Sequence, residues 1–315
     1  MRGRWWAVAA LALSACGHLP GGGGGEDGGL ARPVREGKGL LEQGQLDAAL
    51  SELQKAPEDP DSLYYQGRVW AKKAETAPLP TPPPPPSPLP RGWEPPPTPE
   101  LKPEEVEAAR LYERAIAARP DHGAAHLALA QLLAPHAARR HDAAEDAARS
   151  KRPPPADPDL PVDLGSDRVI RAYQLAIQAD PADAAPVEEL IRFGKRVGRM
   201  DAAEAGFKEL VQRKKERETA EPLARYGDFL VEDKKDPLAA IEQYRQVLIW
   251  RPDDDVIRGK VAGIYLAMAA EAFGRQQYAV SDAHLKDAAP YITDRGSAQG
   301  QTLADYRERL RRIRR

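Results

Sequence analysis

The stretch Tyr112-Glu-Arg-Ala115-Ile-Ala-Ala-Arg-Pro120-Asp121 recurs twice in this 315-residue chain, as Tyr173-Gln-Leu-Ala176-Ile-Gln-Ala-Asp-Pro181 and as Tyr244-Arg-Gln-Val247-Leu-Ile-Trp-Arg-Pro252-Asp253. An aromatic, a small residue three positions on and a proline five beyond that describe the end of one helix and the turn into the next. Proline has no N–H for the helical ladder, and its fixed φ sets the turn. The same template, with looser endings, takes in Gly37, Leu40, Gly44, Ala49, Leu53 and Ala56 upstream, and Ile191, Gly198, Ala203, Phe207 and Leu210 between the second and third copies. Its large position steps from Leu53 to Tyr112, Tyr173, Phe207, Tyr244 and Leu285, at intervals of 59, 61, 34, 37 and 41 residues. Small residues let the two helices of a pair approach, and the aromatic is expected to fill the gap against the next pair.

A 34-residue step is the tetratricopeptide period. The sequence resembles that family over roughly 33–290, most clearly in Ala108, Tyr112, Ala115 and Pro120 and in Ala240, Tyr244, Val247 and Pro252. The resemblance implies an all-α fold: a right-handed superhelical solenoid of about six helical hairpins over 33–295, with a capping helix over 296–315. His126 and Arg258 stand where the family places a Trp or Leu early in the first helix of a unit, which leaves five hairpins as the alternative count. In the last segment Leu303, Tyr306, Leu310 and Ile313 recur at helical spacing, as a terminal repeat needs. Its other face carries six arginines (Arg307, Arg309, Arg311, Arg312, Arg314, Arg315) against Asp305 and Glu308, so 6 − 2 = +4. That face is either a solvated cap or attractive to anionic lipid phosphates or cell-wall polymer.

Two of the long steps contain insertions. Residues 77–103 hold fourteen prolines, including Pro82 to Pro86, and exclude helix or central strand. They fall between the two helices of one hairpin, so their ends must return to adjacent points. The second insertion, about 135–165, is rich in Ala and Arg and then Pro. Both read as disordered segments or as stiff ligands for a partner.

Composition narrows the function. Thirty-one prolines against 4 phenylalanines, with 6% aromatics, disfavour one large core and suit small Ala-rich units in series. A net charge of -2 gives no global field for nucleic acid. The single cysteine excludes a disulfide framework and a Cys-rich metal site. It closes the phrase Leu13-Ser14-Ala15-Cys16, which follows the basic Arg2 and Arg4 and an apolar run from Trp5 to Leu13 that is too short to span a bilayer.

That phrase resembles the lipobox of bacterial lipoproteins. The resemblance implies a signal peptide over 1–15, cleavage before Cys16, and covalent diacylglycerol and N-acyl chains on Cys16, followed by a Gly-rich tether to residue 32. Two or three chains anchor durably where one is marginal. Gly17 in place of the inner-membrane Asp implies the outer membrane, on its periplasmic face or alternatively at the cell surface.

Catalytic signals are weak. His122 and His126 lie four apart on one expected helix, a spacing that can chelate a metal, but no Glu sits between them in metalloprotease order. No serine occupies a Gly-x-Ser-x-Gly elbow. The expectation is a chain with no enzyme activity, cofactor, metal or small-molecule substrate. In the resembled family the first helix of each unit lines a concave groove, which places Tyr64, Arg68, Lys72, Gln131, Glu188, Arg192, Lys195, Arg196, Asp228 and Glu232 on a partner-binding surface. Its centre at Arg192, Lys195 and Arg196 reads as basic and its far end at Asp228 and Glu232 as acidic, which would orient a peptide.

By architecture the chain is similar to pilotin-type lipoproteins, which help secretin rings of type IV pili assemble. It is similar also to lipoprotein subunits of the barrel-assembly and gliding-motility machines. The implied role is a lipid-anchored scaffold whose partners are envelope proteins or their peptide segments. The alternative is a regulator that recruits peptidoglycan hydrolases or synthases, with cell-wall contact.

Overall fold

The computed structural model describes residues 29–78, 101–151 and 163–313. Among these residues there are thirteen α-helices and no strand. They are α1 (Arg32–Glu42), α2 (Leu46–Leu53), α3 (Pro60–Thr76), α4 (Pro103–Ala118), α5 (Gly123–Arg149), α6 (Ser166–Ala179), α7 (Ala185–Arg196), α8 (Met200–Gln212), α9 (Ala220–Glu232), α10 (Pro237–Trp250), α11 (Asp255–Gly274), α12 (Tyr278–Ala288) and α13 (Ala298–Ile313). Each odd-numbered helix from α1 to α11 packs on the helix that follows it, giving six hairpins, and each hairpin packs on the next. The fold is an all-α solenoid of six tetratricopeptide-like hairpins. The lipobox with Cys16, the tether to residue 28, insertion residues 79–100 and 152–162, and Arg314 and Arg315 lie outside the described residues.

Helix starts follow from local chemistry. Asp59, Asp236 and Asp254 each accept a backbone N–H three residues on, at 2.9, 3.0 and 3.1 Å. Pro60 and Pro237 directly follow two of these caps, where a missing N–H costs nothing. Between α1 and α2 and between α7 and α8 the chain turns at Gly44 (φ +76°) and Gly198 (φ +66°), a backbone region that suits glycine.

The aromatic position meets the next hairpin as expected at Tyr173 and Phe207, whose rings lie 6.2 Å from Phe193 and 4.9 Å from Phe229, and it also packs within its own hairpin. Tyr112 and Tyr244, each 2% exposed, lie over Gly67 and Gly227 of the first helix of their own hairpin. A Cβ on Gly227 would sit 2.5 Å from the Tyr244 ring, so the ring fills a gap within the hairpin. It also reaches the next hairpin, through Lys260 on α11, whose Nζ lies 5.7 Å from the ring centroid.

Both substituted family positions are absorbed by the turn before them. His126 places Nε2 2.9 Å from the carbonyl oxygen of Pro120, and Arg258 donates from its guanidinium to the carbonyl oxygens of Pro252 (3.4 Å) and Pro290 (3.1 Å). Each reaches six residues back to a turn proline, so a polar side chain ties the helix to its turn where the family packs an apolar one.

The second insertion is shorter than the sequence suggests. Residues 135–149 do not leave the solenoid: α5 runs through Pro135 to Arg149. An interior proline costs about 3 kcal/mol. Here Leu133, His136 and Ala137, all buried beside it, supply packing that offsets the missing hydrogen bond. At the first insertion Lys102 Nζ donates to the carbonyl oxygens of Ala74 (2.6 Å) and Ala77 (2.7 Å), so the described ends on either side of 79–100 meet.

α13 lies across α11 and α12. Leu303 and Leu310 are buried and Tyr306 meets Phe273 edge-on at 5.4 Å, while Ile313 stays 47% exposed.

Candidate interaction groove

Three adjoining depressions cross the first four hairpins. One of about 390 Å³ lies between α1 and α3, lined by residues that include Leu41, Arg68 and Lys72. The largest, about 850 Å³, lies between α3, α4 and α5, against Tyr64, Arg68, Tyr112, Leu127 and Gln131. The third, about 290 Å³, spans α5, α6 and α7 and includes Gln131, Tyr173, Arg192, Phe193 and Arg196. Arg68 and Tyr112 border the first two, and Gln131 and Pro135 the last two, so the depressions form one track. Of the residues expected on the groove, Tyr64, Arg68, Lys72, Gln131, Arg192 and Arg196 meet on this track. Glu188, Lys195, Asp228 and Glu232 lie beside or beyond it, on α7 and α9.

Most of the expected charges carry partners from neighbouring turns or helices. Lys72 Nζ is 2.5 Å from Glu75, Arg192 is 2.9 Å from Glu189, and Lys195 is 2.7 Å from Asp233. Arg196 forks onto Asp142 of α5, with one bond at 2.7 Å. Arg225 donates to both oxygens of Glu188 at 2.7 Å. Asp228 accepts from the Tyr244 hydroxyl at 2.6 Å and from Lys260 at 2.5 Å. Glu232 is exposed, and its backbone carbonyl accepts from Lys235 at 2.6 Å.

The basic centre read from Arg192, Lys195 and Arg196 is therefore a set of ion-pair halves, because Glu189, Asp233 and Asp142 face them. The hydrogen bonds from Arg225 hold Glu188 below the usual carboxylate range, and Arg196 does the same to Asp142. The Arg196–Asp142 pair is exposed, and the Glu188–Arg225 pair is half-buried but open to solvent. A double-mutant cycle of Glu188 and Arg225 is expected to give about 0.2–1 kcal/mol of coupling, shrinking as salt is raised. Chemical denaturation of the four proteins of the cycle measures it.

The histidines serve the fold. His122 Nδ1 accepts the Ala125 N–H at 3.4 Å, capping α5, and its Nε2 lies 3.4 Å from Asp61 outside hydrogen-bond geometry. Asp61 is instead gripped by Arg119 at 2.6 and 3.1 Å. Burial, and then the Arg119 charge, push His122 below its ordinary value of 6.5. The folded chain holds the ring neutral to lower pH than the unfolded chain, which protonates it as pH falls through about 6.5. The unfolded state then binds more protons, so this contribution is full above that pH and is lost below it. The melting temperature should drop between about pH 7.5 and pH 5. His122→Asn, which keeps a capping acceptor, should flatten part of that slope in melts across the range.

The lining of the largest depression includes polar residues that helical spacing does not place on the groove, among them Lys102, Glu105, His136 and Arg139. Arg139 donates to His136 Nδ1 at 2.7 Å, which makes His136 Nε2 the N–H that faces Glu105 at 3.2 Å. Glu105 also accepts the Lys102 backbone N–H at 2.7 Å. A signal exists for Arg139: 128, 132, 135 and 139 continue the spacing that puts Gln131 on this face, but Pro135 reads as the end of the helix.

No protein-family model and no curated protein sequence matches the chain. Solved structures align with it loosely. A thermophilic TPR protein of Thermus thermophilus is 20% identical with a TM-score of 0.35, covering 74% of this chain and 96% of its own. YrrB, described as a TPR protein with an unusual peptide-binding site, is 14% identical with a TM-score of 0.38, covering 71% and 88%. MamA of Desulfovibrio magneticus is 14% identical with a TM-score of 0.38, covering 71% and 98%.

Proposed function

We propose that the chain is a non-enzymatic adaptor whose groove across α1, α3, α5 and α7 docks segments of protein partners. One observation carries this reading: three depressions of about 850, 390 and 290 Å³ share lining residues and join into a single track along successive hairpins. Lipid on Cys16 holds the adaptor at the periplasmic face of the outer membrane, by the lipobox resemblance. There it serves assembly of an envelope machine of the secretin, barrel-assembly or gliding-motility kind.

The test is in-cell crosslinking of the tagged, lipidated protein followed by mass spectrometry. Recovery of a subunit of such a machine supports the reading. Fractionation of Cys16→Ala tests the anchor separately, since a mutant that still travels with outer membranes contradicts lipidation.

The exposed basic side chains of α13 favour a second reading, as a regulator of cell-wall enzymes. Arg309, Arg311 and Arg312 have side chains 54%, 72% and 76% exposed. Recovery of wall hydrolases or synthases alone, with sedimentation on purified sacculi that charge reversal of α13 abolishes, selects it.

A further inference from the structure

Along most of the groove, each cation faces a carboxylate. The largest depression is different. Arg68 on α3 is exposed and lies against the Tyr64 ring, with its guanidinium carbon 6.0 Å from the centroid. Arg139 on α5 is exposed, and its hydrogen bond goes to the neutral acceptor His136 Nδ1. Lys102 Nζ donates to two backbone carbonyls, those of Ala74 and Ala77. Among the described residues none of these three side chains makes an ion pair.

Acidic residues do line the same depression, and both are occupied. Glu75 is taken by Lys72 at 2.5 Å, and Glu105 by the Lys102 N–H and His136. Three cations with no carboxylate partner thus surround a depression of about 850 Å³ that also has an apolar wall, made by Ala71, Leu127, Ala128 and Leu132 with the rings of Tyr64 and Tyr112.

Two further features suit an extended chain. Pro135 has no N–H to give the carbonyl of Gln131, and both residues border this depression and the next. Arg139 uses one of five guanidinium donors on His136, leaving the others for a ligand.

We infer that the α3–α4–α5 depression binds an acidic protein segment, in which side-chain carboxylates flanking an apolar residue pair with Arg68 and Arg139 while that residue enters the apolar floor. Carboxylate–guanidinium bonds are charge-assisted and two-pronged, and burial of the apolar anchor between aromatic faces strengthens them by excluding water. Lys102 contributes field rather than a bond, since its ammonium is already held by the end of α3. The inference rests on the docking reading of the groove and adds the chemistry of what docks.

The probe is a labelled peptide of alternating Glu, Asp and Leu, acetylated and amidated so that no terminal carboxylate takes part. Its binding to the full chain is followed by fluorescence anisotropy. Binding that weakens at least about tenfold in Arg68→Gln/Arg139→Gln, and that falls as salt is raised, is the expected result. Both arginines are exposed, so the double variant should melt like the parent, and melting is recorded alongside. Arg110→Gln, on the exposed side of α4 and outside all three depressions, should bind the peptide within about twofold of the parent.

Equal binding of the Gln/Asn version of the peptide, equal binding by the double variant, or preference for a Lys/Leu peptide overturns the acidic assignment. A photo-crosslinker at Gln131 separates the two levels. Partner adducts that persist in the double variant leave the groove reading standing and remove this inference. Absence of adducts from Gln131 in the parent removes both.

Discussion

Tyr244→Ala should cost the protein about 3–5 kcal/mol of stability, the range for deleting a fully packed aromatic. Tyr244 is 2% exposed, its ring seats on Gly227, its hydroxyl donates to Asp228 at 2.6 Å, and Lys260 of the next hairpin lies over it. One deletion therefore opens a cavity inside the fifth hairpin and loosens its junction with the sixth. Tyr244→Phe keeps the ring and loses only the bond to a carboxylate, so its cost should be smaller, about 1–3 kcal/mol. In a solenoid each repeat leans on its neighbours, and the damage should be local. Amide hydrogen exchange should rise in α9, α10 and α11 and leave α1 to α4 near their parent values. A uniform rise, or a loss no larger for Ala than for Phe, contradicts this packing.

Gly194→Val is expected to destabilise by about 1–3 kcal/mol, as overpacking does. A Cβ at this position on α7 would stand 2.8 Å from the backbone nitrogen of Ala203 and 3.0 Å from the carbonyl oxygen of Arg199. Backbone of the partner helix cannot swing aside as a side-chain tip can, so α7 and α8 must separate. Gly39→Ala is the opposite case, because nothing lies within 4 Å of its added Cβ on α1. There the helix preference of alanine should stabilise by about 0.5–1 kcal/mol. Urea denaturation of the two variants reads both signs, and stabilisation by Gly194→Val would show that the fourth hairpin is not packed this closely.

The repeat is legible because its signal is local. Proline, glycine and an aromatic at fixed offsets report where one helix ends and how near its partner comes, and these positions give six hairpins even where His126 and Arg258 depart from the pattern. Pro135 misleads for the same reason. A local rule says that proline stops a helix, whereas packing of Leu133, His136 and Ala137 on α4 and α6 carries α5 through it.

That rule hides part of the groove, since Asp142, His136 and Arg139 all lie on the extended helix. Groove residues such as Arg192 and Arg196 can be placed on a face from helical spacing alone. Their pairing cannot, because Asp142 is 54 residues from Arg196 in sequence and meets it only in the stacked hairpins. Arg68 and Arg139, two of the three cations there that keep no carboxylate, become distinct only once the pairings around them are known.

In the proposed function, partners enter the track shared by α3, α5 and α7. Its most direct test is a pair of photo-crosslinking residues in otherwise unchanged protein, in cells. One replaces Gln131, which borders two of the depressions, and the other replaces Arg110, exposed on α4 and away from all three. A discrete protein adduct is expected from position 131, absent from position 110 and competed by excess unlabelled parent chain. An adduct from position 110 with none from 131 would contradict it, and would move the interaction surface off the groove.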